Sequence, residues 1–81
     1  MSRKITRTQT GVRIESSMLK VLKATAEYCD RSLGDLIEGI VVHAFDGRCA
    51  FGEETRAKIA QLKEVYGMDY GPEAAHRMIE D

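Results

Sequence analysis

The spacing of apolar positions changes along the chain, and each change marks an element. From Arg7 to Ile14 the period is two. Thr8, Thr10, Val12 and Ile14 fall on one side, and Arg7, Gln9, Gly11 and Arg13 on the other. β-Branched residues on one face predict a half-buried strand over residues 8–15. From Met18 the period becomes helical. Met18, Leu22 and Cys29, with Leu19, Thr25 and Ala26 between them, make an apolar stripe, while Lys20, Lys23 and Glu27 face outward. Ser16 and Ser17 are candidate N-caps for this helix, which should end near Asp30. Ser32 with Asp35 three residues on forms a capping-box variant and opens a second helix. Its stripe is the cleanest in the chain: Leu33, Leu36, Ile37, Ile40, Val41, Ala44 and Phe45. Gly39, on the other face, costs about 1 kcal/mol of helix propensity relative to Ala, which points to a close backbone crossing there. Gly47 suits the left-handed stop.

Residues 48–52 read as a loop. Glu53 to Tyr66 reads as a third helix, with Glu53 and Glu54 at its positive end and a thinner stripe of Ile59, Leu62 and Tyr66. Gly67 stops it. Pro72 suits the first position of a short last helix, Glu73 to Glu80.

The strand has no second strand of comparable quality to pair with. Unpaired N–H and C=O groups along both of its edges are costly to bury. The cheapest partner is the same strand from a second copy, giving an antiparallel two-stranded ribbon about a two-fold axis. One face of that ribbon would sit on the helices. The other would present Arg7, Gln9 and Arg13 twice, and a two-stranded ribbon fits the major groove of DNA.

Composition sharpens this picture in two respects. The chain has 81 residues, so one small domain that gains from dimerisation is expected. Its formal net charge of -1 hides an asymmetry: residues 1–31 carry +4 and residues 32–81 carry -5. A basic end of this kind suits an anionic partner. No apolar run is long enough to span a membrane, and no apolar signal region follows the basic start Met1-Ser2-Arg3-Lys4-Ile5, so a cytoplasmic protein is expected. Cys29 and Cys49 form no disulfide framework and are expected to be reduced. With His43 and His76 they match no compact ligand spacing, and neither a metal site nor another cofactor is expected. No Ser/His/Asp group, acid/base carboxylate pair or phosphate-cradling glycine loop is visible, which argues against an enzyme.

The strand Thr10-Gly11-Val12-Arg13-Ile14, the polar step Glu15-Ser16-Ser17, the stripe Met18, Leu19, Leu22, Ala26, the turn Asp30-Arg31-Ser32-Leu33-Gly34 and the run Leu36-Ile37 together resemble the ribbon-helix-helix family, the Arc/MetJ/CopG type of repressor. The resemblance covers about half the chain. It implies a mainly α fold: one N-terminal strand paired with its copy in a homodimer, two core helices, and C-terminal helices. It divides the chain into a DNA-binding and dimerisation domain, residues 1–47, and a helical extension, residues 48–81. By position it makes Gln9, Gly11 and Arg13 the base readers and Ser32, Leu33 and Gly34 the phosphate site at the start of the second helix. Arginine can bond bidentately to guanine and glutamine to adenine. Free amides at a helix N-terminus suit a phosphate oxygen. Arg3, Lys4 and Arg7 would add salt-dependent phosphate contacts.

Two departures from the family pattern weigh against operator reading. Gly11 stands where a polar reader is more usual, and the second helix opens with Asp35 and Glu38, which repel phosphate. The function implied is a dimeric transcriptional repressor bound to double-stranded DNA. The alternatives are an antitoxin whose residues 48–81 hold a toxin, and a dimerisation or structural module that reads no operator.

Overall fold

Three helices carry the fold: α1 (Ser16–Tyr28), α2 (Leu33–Phe45) and α3 (Glu53–Tyr66), followed by a single 3-10 turn at Pro72–Ala74, in a computed structural model that describes residues 2–81. α1 is the central element. It packs most extensively on α3 and to a lesser degree on α2. The core follows from that placement: Val21, Thr25 and Ala26 of α1 and Leu36 of α2 are the buried residues. Val21 lies off the stripe expected for the first helix. A helix with neighbours on two sides needs a wider apolar face than one with a single neighbour, and Val21 widens it. Thr25 is buried without cost in unpaired groups, because its Oγ1 donates to the Val21 carbonyl at 2.7 Å. α3 buries no residue fully, and Ile59 and Leu62 are its half-buried apolar side chains.

The expected N-terminal strand does not form. Among the described residues there is no strand at all, so the ribbon inferred from it is not part of this fold. Residues 2–15 have no regular secondary structure. Thr8, Thr10 and Val12, expected to face the helices, are exposed, Val12 to 77%, and only Ile14 is half-buried. The reason is the one that made a lone strand costly: no neighbouring segment offers a ladder, so the backbone groups are left to water. Alternation over the eight residues from Arg7 to Ile14 marks a strand face, but a strand exists only with a partner.

The start of α1 also departs from expectation. Its N-cap is Glu15 rather than Ser16 or Ser17. The Glu15 carboxylate accepts the Ser17 N–H at 2.8 Å and the Met18 N–H at 3.2 Å, so Ser16 becomes the first helical residue. Ser32 caps α2 as expected, its Oγ accepting the Asp35 N–H at 3.2 Å. The box is only half closed, because the Asp35 carboxylate turns to Arg31 Nη1 at 2.8 Å.

All three helices end in one device. Asp30, Gly47 and Gly67 take left-handed φ values of 57, 69 and 73°. The N–H of the residue after each reaches back to a carbonyl five positions earlier: Arg31 to Ala26, Arg48 to His43 and Met68 to Lys63, each at 2.9 Å.

Two further expectations fail. A Cβ built at Gly39 would meet nothing within 4 Å, so no backbone crosses α2 there. The last helix, expected over Glu73–Glu80, is one 3-10 turn, after which His76 is left-handed and residues 77–81 are irregular. Helix nucleation is costly and short helices need a packed face. Met78 and Ile79, the apolar residues available for one, are 49% and 96% exposed. No helix among the described residues is long and apolar enough to cross a membrane.

Candidate nucleic-acid interface

Residues 2–13 contain Arg3, Lys4, Arg7 and Arg13 and no acid, and every one of them is exposed. This is the most basic stretch of the chain, and its side chains stand open to solvent on an irregular backbone. Gln9 and Gly11 lie within it, also exposed. Two of its four cations are engaged by carboxylates. Arg7 Nε and Nη2 donate to Glu38 Oε2 and Oε1 of α2, both at 2.9 Å. This two-point geometry is the one by which a guanidinium grips either a carboxylate or a phosphate. The hydrogen bonds from Arg7 hold the Glu38 carboxyl below its ordinary value and raise that of Arg7, to which the negative charge of Asp35 also contributes. Arg13 pairs with Glu80 in the irregular C-terminal segment. Both pairs are exposed and so contribute little to stability.

The sequence-derived site residues therefore do not converge on one place. Arg7 lies over α2, near the acids of its first turns. Arg13 lies beside Met78–Asp81, across an open cleft of about 630 Å³ that Ile14, Glu15 and Ser16 also line. At the start of α2, Ser32 serves as cap, Leu33 is half-buried and Gly34 is exposed, with open space where a Cβ would stand. The N–H groups of this first turn have no partner within the helix. The Asp35 carboxylate of the same turn sets a negative charge beside them.

A second cluster ties the two ends of the chain together. Tyr70 donates its hydroxyl proton to Glu15 Oε1 at 2.6 Å, and the Ser17 hydroxyl donates to the same oxygen at 2.5 Å. These bonds, Ser17 first and Tyr70 second, lower the Glu15 carboxyl to about 2. The same carboxylate pushes the Tyr70 phenol up to about 12. The cap of α1 thus also anchors the segment after α3, and so brings residues 77–81 back towards Arg13.

The other exposed feature is apolar. Val41, Val42 and Phe45 of α2 are 37%, 64% and 84% exposed. Ile37, half-buried, continues that line by one turn. On the opposite side of the helix, Leu36, Gly39, Ile40 and His43 line a groove of about 270 Å³ that Cys29 and Phe51 also border. The His43 Nδ1–H donates to the Gly39 carbonyl at 2.7 Å within α2. Among the described residues no three His, Cys, Asp or Glu gather as a possible metal set.

Sequence reasoning placed the cations but missed their partners. Glu38 was visible as an acid in the wrong place for phosphate. Nothing local linked it to Arg7, 31 residues away, or linked Glu15 to Tyr70, 55 residues away.

The arrangement is that of a small all-helical protein with an exposed basic N-terminal segment and an uncovered apolar helix face. Comparison with protein-family models, with curated proteins and with solved structures finds no match to this chain.

Proposed function

We propose that the chain works as a homodimeric DNA-binding repressor, in which the exposed segment 2–13 meets the duplex and the apolar face of α2 meets a second copy. The observation that carries this reading is the segment itself: four cations and no acid in twelve exposed residues. Arg3, Lys4 and Arg7 neutralise phosphates, and Gln9 and Arg13 reach base edges, with Gly11 between them allowing close approach. The first turn of α2 at Ser32, Leu33 and Gly34 offers a further phosphate contact.

The exposed apolar side chains of α2 support the dimer. Val41, Val42 and Phe45 stand 37%, 64% and 84% exposed on one face of the helix, and a stable dimer covers about 800 Å² on each partner. A second reading, a dimerisation module that reads no DNA, is favoured by the pairing of Arg7 and Arg13 with Glu38 and Glu80.

The test is selection of bound sites from a random duplex pool at two salt concentrations, with wild type and Arg13→Ala. An enriched two-fold symmetric site whose preference the variant loses supports sequence reading. Three phosphate contacts per chain in a dimer predict a fall in affinity of about a thousand-fold between about 50 and 200 mM salt. No enrichment, with wild type still self-associating, would leave the dimerisation module.

A further inference from the structure

The cations proposed to meet DNA already hold carboxylates in the free chain. The Arg7 guanidinium spans both oxygens of Glu38, and Arg13 is held by Glu80. The first carboxylate is fixed on a helix. The second belongs to an irregular segment that the Tyr70–Glu15 hydrogen bond brings back to the start of α1. The Arg7 guanidinium has its donor fork turned to an oxygen pair of the size and charge that a phosphate presents, while Arg13 meets a single carboxylate oxygen of Glu80. We propose that Glu38 and Glu80 mask the basic segment by standing in for phosphate, so that duplex DNA must displace them to bind. The inference rests on the DNA-binding reading above and adds regulation to it.

The consequences follow from charge. Displacement frees two carboxylates close to the DNA backbone, where they repel it. Masking therefore weakens binding to every duplex. Salt weakens the internal pairs and the DNA contacts together, so the effect of masking is largest at low ionic strength. Glu38 also sits next to Asp35 and below the apolar line of α2, so the segment and α2 are electrically linked.

The experiment measures duplex affinity by fluorescence anisotropy on the full chain, with wild type, Glu38→Gln, Glu80→Gln and the double variant, at low and high salt. Each single variant should bind about two- to five-fold more tightly per chain at low salt, the range expected for loss of an exposed ion pair. The gain should disappear at high salt. In an Arg7→Gln background the Glu38→Gln gain should shrink, because the carboxylate then has no cation to hold. Thermal melting monitored by circular dichroism verifies that each variant keeps its helices, and loss of protection at the Arg7 Nε–H in Glu38→Gln reports the broken pair directly. If wild type binds DNA and the variants bind equally or more weakly, masking is overturned and the DNA-binding reading stands. If neither wild type nor any variant binds duplex at low salt, the DNA-binding reading falls and masking falls with it.

Discussion

α1 and α2 are equal in length, 13 residues each, and opposite in how they spend their apolar residues. α1 carries three lysine and glutamate side chains on its outer face and still buries Val21, Thr25 and Ala26. α2 is nearly continuous in apolar residues from Leu36 to Phe45, yet Leu36 is its one buried residue. Burial is thus set by neighbours rather than by hydropathy. α1 lies between the other two helices, and α2 has α1 alone. The apolar surface that α2 leaves uncovered is Val41, Val42 and Phe45, the face assigned to the second copy in the proposed dimer.

Substitution on the two faces of α2 should separate these roles. Leu36→Ala truncates the one fully buried side chain of α2, and it should destabilise the fold by about 2–5 kcal/mol in urea unfolding. Phe45→Ser on the open face should leave the single chain folded while weakening self-association at least about tenfold, read by sedimentation equilibrium. Equal loss of fold in both variants would break the contrast, since it would place Phe45 in the core of the single chain.

A smaller effect comes from Gly39, on the groove side of α2. Space for a Cβ is open there. Gly39→Ala should therefore raise thermal stability by about 0.5–1 kcal/mol, the helix-propensity difference. A loss of stability instead would mean that another chain approaches this backbone closely in solution.

The mildest test concerns the cap of α1, a carboxylate that also holds the distant Tyr70, where α2 has the Ser32 hydroxyl. A carboxyl lowered to about 2 from an ordinary value near 4.5 adds stability that is present above the ordinary value and lost as pH falls towards 2. Tyr70→Phe removes the second of the hydrogen bonds responsible. The Glu15 carboxyl should then titrate higher, by NMR, and the variant should lose less stability than wild type between pH 4.5 and 2. The phenol held at about 12 gives the opposite sign at high pH: its contribution is present below 10 and lost as pH rises through about 12.

Much of the helical architecture was legible in local residues. Ser32, Gly47, Glu53, Tyr66 and Gly67 mark the ends of α2 and α3 where the structure has them, because caps and stops act within one turn. Asp30 filled the same left-handed role usually given to glycine, and aspartate tolerates that conformation better than most side chains. The strand at residues 8–15 and the helix at residues 73–80 were misread for a common reason. The strand rested on alternation and the helix on Pro72 at its first position, but neither has a surface to pack against or a ladder to join.

The sequence by itself determined the three helices, their stops and the basic character of residues 2–13, since these follow from spacing, capping and charge. Only the tertiary structure decided that α1 lies at the centre, that Glu15 caps it and holds Tyr70, and that Arg7 and Arg13 face Glu38 and Glu80. Those are pairings between residues far apart in the chain. They depend on which helix packs on which, and no local pattern encodes that choice.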